Sequence, residues 1–533
     1  MSTGARARAD AGLALLGLAA VFAAVFSRVK AANFGGTDEW LVIDLASRGI
    51  IDFPYAKRPL SLLGQLPPAL LVPHSVRAFL LFHAFYLLAT GAAAWALVRR
   101  LAPAQPLLAF VAGLLACLWG PGDWLRLDAV LMSGASFLCL LTVVALLLLL
   151  EAQRRASLAL GALACLAGFV AGRGSEPALA LLASGPVLLY WADPAAARRR
   201  WGLSAAWAGV IALDAVLFLL PLLGGGQSYQ TSALGLDPRP VHVASRLAGE
   251  LVHHLAPVLA TPPRALLQPA AVVATLVFVA AWTLLSRRGP ALGGPSRALL
   301  LLALAGLALA VLADTPFALS GRVLLGVRRQ FYSALGAGLF LAAAVTFLAG
   351  LLPARWRKAA AGALAAWVVG VAAARTLEQQ AWWDANGLYP AQSTVLRAVT
   401  ALAPDLEPHT LVVMLDGRGA WRANFTFHHA IRYLYQGRAV GLAYEADPFL
   451  YPSSFTPAGV AILPWPVIQG PWRSPAVLYG YDECVAFRSG PDGRVELLEA
   501  WPEELPALPP AAVYAPRRRL RAGALPALPI LGS

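Results

Sequence analysis

The chain has 533 residues, of which 59% are hydrophobic and 13% charged, with a formal net charge of +14. Soluble domains carry about 25% charged residues, so these figures exclude a mainly soluble protein, and a mean hydropathy of +0.65 calls for repeated apolar spans. The basic excess argues against nucleic acid as a partner, because arginine and lysine gather in short connectors between apolar runs: Arg99-Arg100, Arg154-Arg155, Arg198 to Arg200, Arg287-Arg288 and Arg355 to Lys358.

The longest runs have the roughly 20 residues needed to cross a ~30 Å hydrocarbon core. Only helices satisfy their own backbone in lipid at such lengths. In chain order the pattern predicts about eleven spans, near 11–29, 77–98, 105–119, 129–150, 156–171, 177–192, 203–223, 266–285, 298–313, 333–353 and 359–375. Each even-numbered span ends at one of the basic clusters. That alternation is the positive-inside pattern, and it places the amino terminus inside and the segment after the eleventh span outside. The first run follows Arg6 and Arg8 and ends in Ser27-Arg28-Val29-Lys30 without a small-residue cleavage site, which reads as an uncleaved helix. Outside loops are expected at 30–76, 224–264 and 314–331. In the second of these, Val243, Leu247, Leu251 and Leu255 recur at helical spacing, with Arg246, Glu250, His253 and His254 between them. This is the pattern of an amphipathic helix lying on a membrane surface.

After residue 376 proline and charge rise and no run is long enough to span. Leu411 to Leu415 reads as a buried strand closed by Asp416-Gly417, and Ala430 to Tyr435 as a short helix. Val460 and Val485 open further strands, and Gly490-Pro491-Asp492-Gly493 is a hairpin turn before Val495. The expected fold is therefore mainly α: a polytopic helical membrane domain over 1–376 and a small extracytoplasmic α/β domain over 377–533. Cys117, Cys139 and Cys165 fall inside apolar spans and Cys484 stands alone, so no Cys/His spacing suggests a metal.

Chemistry-bearing residues are sparse. The first outside loop holds Gly36-Thr37-Asp38-Glu39-Trp40 and then Lys57-Arg58-Pro59-Leu60. Thr37 can cap a helix over 38–48 that Gly49 stops, with Asp44 and Arg48 as an i,i+4 pair on its polar side. A capped surface helix is one account of the motif. Apolar Leu41, Val42, Ile43 and Leu45 in the same loop place it at the membrane interface instead, holding the two acids just above the bilayer. A carboxylate there can take a proton from a hydroxyl. Lys57, Arg58, Arg322, Arg328 and Arg329 can meet a phosphate, although headgroup contact also accounts for each arginine singly. Glu176, at the outer start of the sixth span, either pairs with Arg173 or binds a ligand, since ionisable groups in such places are costly. Asp214 lies inside the seventh span. Asp123 and Asp128 flank an outside turn, where capping a helix is role enough.

The stretch Asp38-Glu39-Trp40 … Arg58-Pro59-Leu60, together with Ser175-Glu176-Pro177 and a late external domain, resembles the GT-C superfamily of polytopic membrane glycosyltransferases, in particular its bacterial O-antigen glucosyltransferase-type members. The resemblance covers the general plan of 1–376. It implies a bacterial inner-membrane enzyme that takes a sugar from a polyprenyl-phosphate donor and passes it, with inversion, to a glycan, lipid or protein acceptor at the outer face. It also implies Asp38 as the catalytic base with Glu39 in support, and Lys57, Arg58, Glu176, Arg322, Arg328 and Arg329 around the substrates. Some members use a divalent metal and some do not, and no residue pattern here decides which. Two other classes fit the composition: a multi-span transporter or lipid flippase, which calls for midplane charges and broken helices in two halves, and a non-catalytic membrane scaffold.

Overall fold

The computed structural model describes residues 3–35, 38–52, 58–223, 237, 239–319, 330–464, 475–523 and 529–531. The chain is mainly helical. Helix α1 (Thr3–Phe26) is followed by two short helices, α2 (Glu39–Ser47) and α3 (Leu66–Leu71), and then by α4 (Val76–Leu101), α5 (Pro106–Leu118), α6 (Ala129–Arg155) and α7 (Leu158–Gly174). Three short pieces follow, α8 (Glu176–Leu182), α9 (Gly185–Ala192) and α10 (Pro194–Arg199). The bundle closes with α11 (Trp201–Leu223), α12 (Pro240–Ala260), α13 (Pro269–Arg288), α14 (Arg297–Ala318), α15 (Gln330–Gly350) and α16 (Ala354–Asn386).

Among the described residues, eight helices are long and apolar enough to cross a membrane: α1, α4, α6, α11, α13, α14, α15 and α16. The other three expected spans differ for local reasons. Helices α5 and α7 are apolar but have only 13 and 17 residues. The sixth is broken into α8 and α9, each with a proline in its first turn. Proline has no N–H to give and favours the start of a helix, and the Ser184 hydroxyl donates to Leu181 O at 2.6 Å in the break.

One large core runs through the bundle, from Leu18 and Val25 of α1 through Phe110 of α5 and Phe278 of α13 to Val369 of α16. The rings of Phe110 and Phe278 stack 5.8 Å apart. Small residues set the closest helix approach. A methyl group on Gly336 would lie 2.2 Å from Ala310 N, and one on Gly306 2.5 Å from Phe340 N, so α14 and α15 touch backbone to backbone. Helix α12 forms where the periodicity predicts it, but its polar side is not all turned to solvent. Glu250 and His254 are buried, and His254 Nε2 lies 2.8 Å from Ser333 Oγ on α15.

Helix α16 has 33 residues, about 50 Å at 1.5 Å per residue. It runs unbroken through the expected 376–377 division to Asn386, and α17 (Tyr389–Leu402) follows. The carboxy-terminal region then forms β1 (Thr410–Asp416), α18 (Asn424–Leu434), β2 (Ala439–Ala443), β3 (Ser453–Thr456), β4 (Gly459–Ile462), β5 (Val477–Tyr479), β6 (Cys484–Ser489) and β7 (Val495–Leu497). The larger sheet has the order β2-β1-β6-β7, with β1 parallel to β2 and β6, and β7 antiparallel to β6. Strands β3, β4 and β5 make a small antiparallel sheet. The expected strand at 411–415 is the centre of the larger sheet, and Gly490 to Gly493 turns β6 into β7 with Gly493 at φ +83°. The helix expected at Ala430 begins six residues earlier, at Asn424.

A second core joins this region to the first loop. Trp40, Leu41 and Ile43 of α2, Phe79 of α4, and Val130 of α6 share it with Val395, Phe427, Ile431 and Phe487. The first loop is therefore a structural layer between the bundle and the α/β region.

Gly336→Ala adds the methyl group that meets Ala310 N. It is expected to cost about 1–3 kcal/mol as overpacking and to lower the thermal unfolding midpoint in detergent. Gly209→Ala in α11, where an added methyl meets nothing within 4 Å, is expected to leave the midpoint unchanged or raise it slightly.

Candidate functional site at the end of the helical bundle

Helix α2 and its N-cap carry three carboxylates, and the fold treats each differently. The helix starts at Glu39, one residue later than the sequence suggests, with Asp38 at the N-cap position, half-buried, its carbonyl accepting from Val42 N at 2.9 Å. Thr37, the expected cap, lies outside the described residues. Gly49, at φ +73°, ends the segment as expected. Every residue from Glu39 to Ala46 is buried, which overturns the picture of a surface helix. Trp40 donates its indole N–H to Gln392 Oε1 at 2.9 Å, and Gln392 donates to Ala420 O at 3.0 Å, pinning α2 to α17 and the loop after β1.

Glu39 is fully buried against Asp128. Asp128 caps α6 as expected from its position, its Oδ1 accepting from Val130 N at 3.1 Å and Leu131 N at 3.0 Å. Its carboxyl also meets that of Glu39, which capping alone does not explain. Burial, then the facing Glu39 carboxyl, hold Asp128 well above the usual carboxylate range.

Asp44 is the opposite case. It is paired with Arg48 at 3.0 Å, as the i,i+4 spacing predicts. It also faces His429 of α18, whose Nδ1 lies 2.7 Å from Asp44 Oδ2, while Arg432 stands 4.0 Å away. Burial pushes Asp44 up, but the His429 hydrogen bond and the charges of Arg48 and Arg432 outweigh it and hold the carboxyl below its ordinary value. Burial pushes His429 down. The neutral ring donates Nδ1–H to Asp44 and accepts from the Tyr451 hydroxyl at Nε2, 2.9 Å away.

Arg58 and Glu176 find each other. Arg58 Nε meets Glu176 Oε1 at 2.8 Å and Arg58 Nη2 meets Oε2 at 2.8 Å, a bidentate pair. Arg173, the partner considered for Glu176, lies instead 3.7 Å from Asp214 of α11. The loop that carries Arg58 rests on α6: a methyl group on Gly134 would meet Ser61 O at 2.4 Å, and Gln65 donates to Leu131 O at 3.1 Å. Helix α6 is thus the common wall. Glu39 meets it at Asp128, while Gly174, just before the Arg58–Glu176 pair, packs on Leu138, roughly 15 Å further along the axis at 1.5 Å per residue. Lys57, Arg322, Arg328 and Arg329 lie outside the described residues. At the base of the same wall Arg126 is buried, donating to Leu118 O and, at 2.7 Å, to Thr376 Oγ1; burial lowers its guanidinium to about 10.

A cavity of about 180 Å³ lies between α2, the α3–α4 junction and α18, lined by Ile43, Leu70, His74, Phe79 and Tyr433. A larger open depression of about 530 Å³ sits on the α/β region beside Arg488, Glu499 and Trp501. Neither contains Asp38 or Arg58. Among the described residues no three His, Cys, Asp or Glu side chains gather as metal ligands. Asn424 of the Asn-Phe-Thr sequon is buried, its amide donating to Tyr451 O at 2.8 Å and accepting from Ala443 N at 3.0 Å, so it holds α18 to β2.

Asp128 carried a local signal, but only for capping. His429 carried none, because its partner Asp44 is 385 positions away. Compared with known proteins, the chain matches no family model and no curated sequence.

Asp44→Ala leaves the buried His429 without its acceptor and is expected to cost about 1–3 kcal/mol, seen as a lower unfolding midpoint at pH 7. Because the folded pKa of Asp44 is lowered, its contribution is present above the ordinary aspartate value of about 3.9 and is lost as pH falls through the lowered value. Wild type is therefore expected to lose stability more steeply than Asp44→Ala between pH 5 and pH 2, checked by circular dichroism melts.

Proposed function

We propose that the protein is an integral membrane glycosyltransferase of GT-C type, moving a sugar from a polyprenyl-phosphate donor to a glycan, lipid or protein acceptor of the cell envelope. One observation carries this reading. Asp38, a half-buried carboxylate, stands at the start of a helix wedged between an apolar helical bundle and an α/β region. That is where a lipid-borne donor and a water-borne acceptor can meet. In this reading α5, α7 and the broken α8–α9 complete eleven crossings, the basic connectors face the cytoplasm of a bacterial inner membrane, and the α/β region lies outside.

The chemistry is a single displacement. Asp38 takes the proton of the acceptor hydroxyl, and the hydroxyl oxygen attacks the anomeric carbon opposite the donor phosphate. The carbon–oxygen bond to phosphate breaks, its electron pair leaves on the lipid phosphate, and the configuration inverts. The charge growing on that phosphate calls for fixed cations. Arg58, oriented by Glu176, is the described residue assigned to it, with Lys57, Arg322, Arg328 and Arg329 as further positive charge. Glu39 supports Asp38 from inside the fold. A divalent metal is not assigned.

A transporter or flippase is the second reading, favoured by the Arg173–Asp214 pair between α7 and α11 and by the break between α8 and α9. Transfer from a labelled polyprenyl-phosphate sugar in proteoliposomes separates the two. Asp38→Asn is expected to reduce transfer by about 10²-fold or more, the usual worth of a general base, and Arg58→Ala to weaken donor use. Undiminished transfer by Asp38→Asn removes Asp38 from the mechanism. Label crossing the bilayer without transfer replaces the enzyme reading with the transporter, and neither activity leaves the scaffold.

A further inference from the structure

We infer that the corner where α9, α10 and α11 meet binds the phosphate of an anionic phospholipid, drawn from the leaflet on the side of the basic connectors. Arg198, Arg199 and Arg200 supply the charge. The site is independent of the reaction proposed above.

The basic connectors differ in how their guanidinium groups are used. Arg100, Arg154 and Arg155 converge on Glu151, at 2.6, 2.8 and 3.0 Å. Arg288 stands 4.0 Å from Asp10. In the 355–358 cluster, Arg357 donates to Leu352 O at 2.9 Å, and Lys358 to Ser286 O at 2.5 Å and Gly289 O at 3.0 Å. The 198–200 triplet is left with its donors. Arg198 donates to the Tyr190 hydroxyl at 3.2 Å, its guanidinium 5.8 Å from the ring centre. Arg199 is exposed, and among the described residues it gives no side-chain N–H to protein. Arg200 is half-buried, and its Nη1 is shielded from solvent without an acceptor. The nearest acid along the chain, Asp193, caps α10, its Oδ1 accepting from Ala196 N at 2.9 Å. A guanidinium fork with free N–H groups matches the oxygens of a phosphate.

The surroundings are those of a lipid headgroup rather than of a dissolved ion. Trp201 opens α11 and is 72% exposed, and Tyr190 of α9 is 50% exposed. Both ring types favour the level of the headgroups. Val187, one turn before Tyr190, is exposed as well, and so is Leu219, which lies in line with Trp201 at 3.6 residues per turn. The chains of the same lipid therefore find an apolar wall beside the arginines. The corner is also fixed in place. Gln153, near the end of α6, donates to Leu189 O at 3.2 Å and to Asp193 O at 3.1 Å, which ties the last turn of α9 and the start of α10 to the bundle.

Full-length protein in a neutral detergent, titrated with phosphatidylglycerol, tests this: the rise of its thermal unfolding midpoint gives the affinity. Wild type is expected to be stabilised by phosphatidylglycerol, and not by phosphatidylcholine or inorganic phosphate. An arginine beside an anionic lipid is worth about fivefold in affinity. Arg199→Gln, at an exposed side chain, is expected to weaken binding by about that factor and to leave the lipid-free midpoint unchanged. Arg198→Gln, Arg199→Gln and Arg200→Gln together are expected to weaken it about hundredfold. Arg287→Gln with Arg288→Gln, which removes charge from another connector, is expected to leave the affinity within about twofold of wild type. If that double variant loses as much per charge as the triple one, a general attraction of basic connectors to anionic lipid replaces the site. A midpoint raised equally by inorganic phosphate or by phosphatidylcholine overturns the anionic lipid as ligand. Unchanged affinity in Arg199→Gln and in the triple variant overturns the site itself.

Discussion

Helix α2 brings Asp38, Glu39 and Asp44 into a space bounded by two apolar cores, and burying charge is the costliest demand a fold can meet. Much of the local structure follows from that demand. Glu39 is met by a second acid, Asp128. Asp44 is met by a histidine and two arginines from both sides of a seam. Asp38, at the N-cap, keeps partial access to solvent. Three carboxylates within the seven residues from Asp38 to Asp44 are handled by three different means.

The same demand explains why the α/β region sits where it does. Asp44 is satisfied only when α18 delivers His429, and His429 only when Tyr451 delivers its hydroxyl. Trp40 needs Gln392 of α17 for its N–H. The polar bonds and the shared apolar core thus act together: the core supplies the area, and the bonds select one register for α2 against α18. A buried charge pair is weak as a source of stability, and its geometry favours one arrangement of the two helices.

Beneath this layer the bundle is governed by close approach. Gly306 and Gly336 let α14 and α15 touch, and Gly91 and Gly113 do the same for α4 and α5. The rigid wall that results is α6 with its neighbours, and both the Glu39 contact and the Arg58 loop seat on it. Arg58 and Glu176 then neutralise one another at a half-buried position, where either alone would be expensive. The Glu39 contact and this pair lie along one wall, roughly 15 Å apart at 1.5 Å per residue.

Composition and period determined the helical class, the positions of nearly all the apolar helices, strand β1 and the turn from β6 to β7, because each depends on residues close in the chain. The Asp44–Arg48 pair and the Asp128 cap were legible for the same reason: i,i+4 spacing and an acid before an apolar run are local patterns. The break between α8 and α9 was written in Pro177 and Pro186, yet the apolar run of 177–192 masked it. What only the tertiary structure decided are the partners. Nothing near Glu39 announces Asp128, nothing near Arg58 announces Glu176, and nothing near Asp44 announces His429. Those pairings are set by which surfaces must be covered when the first loop packs under a sheet more than three hundred residues away, and burial, which has no local signature, gave three similar acids three different surroundings.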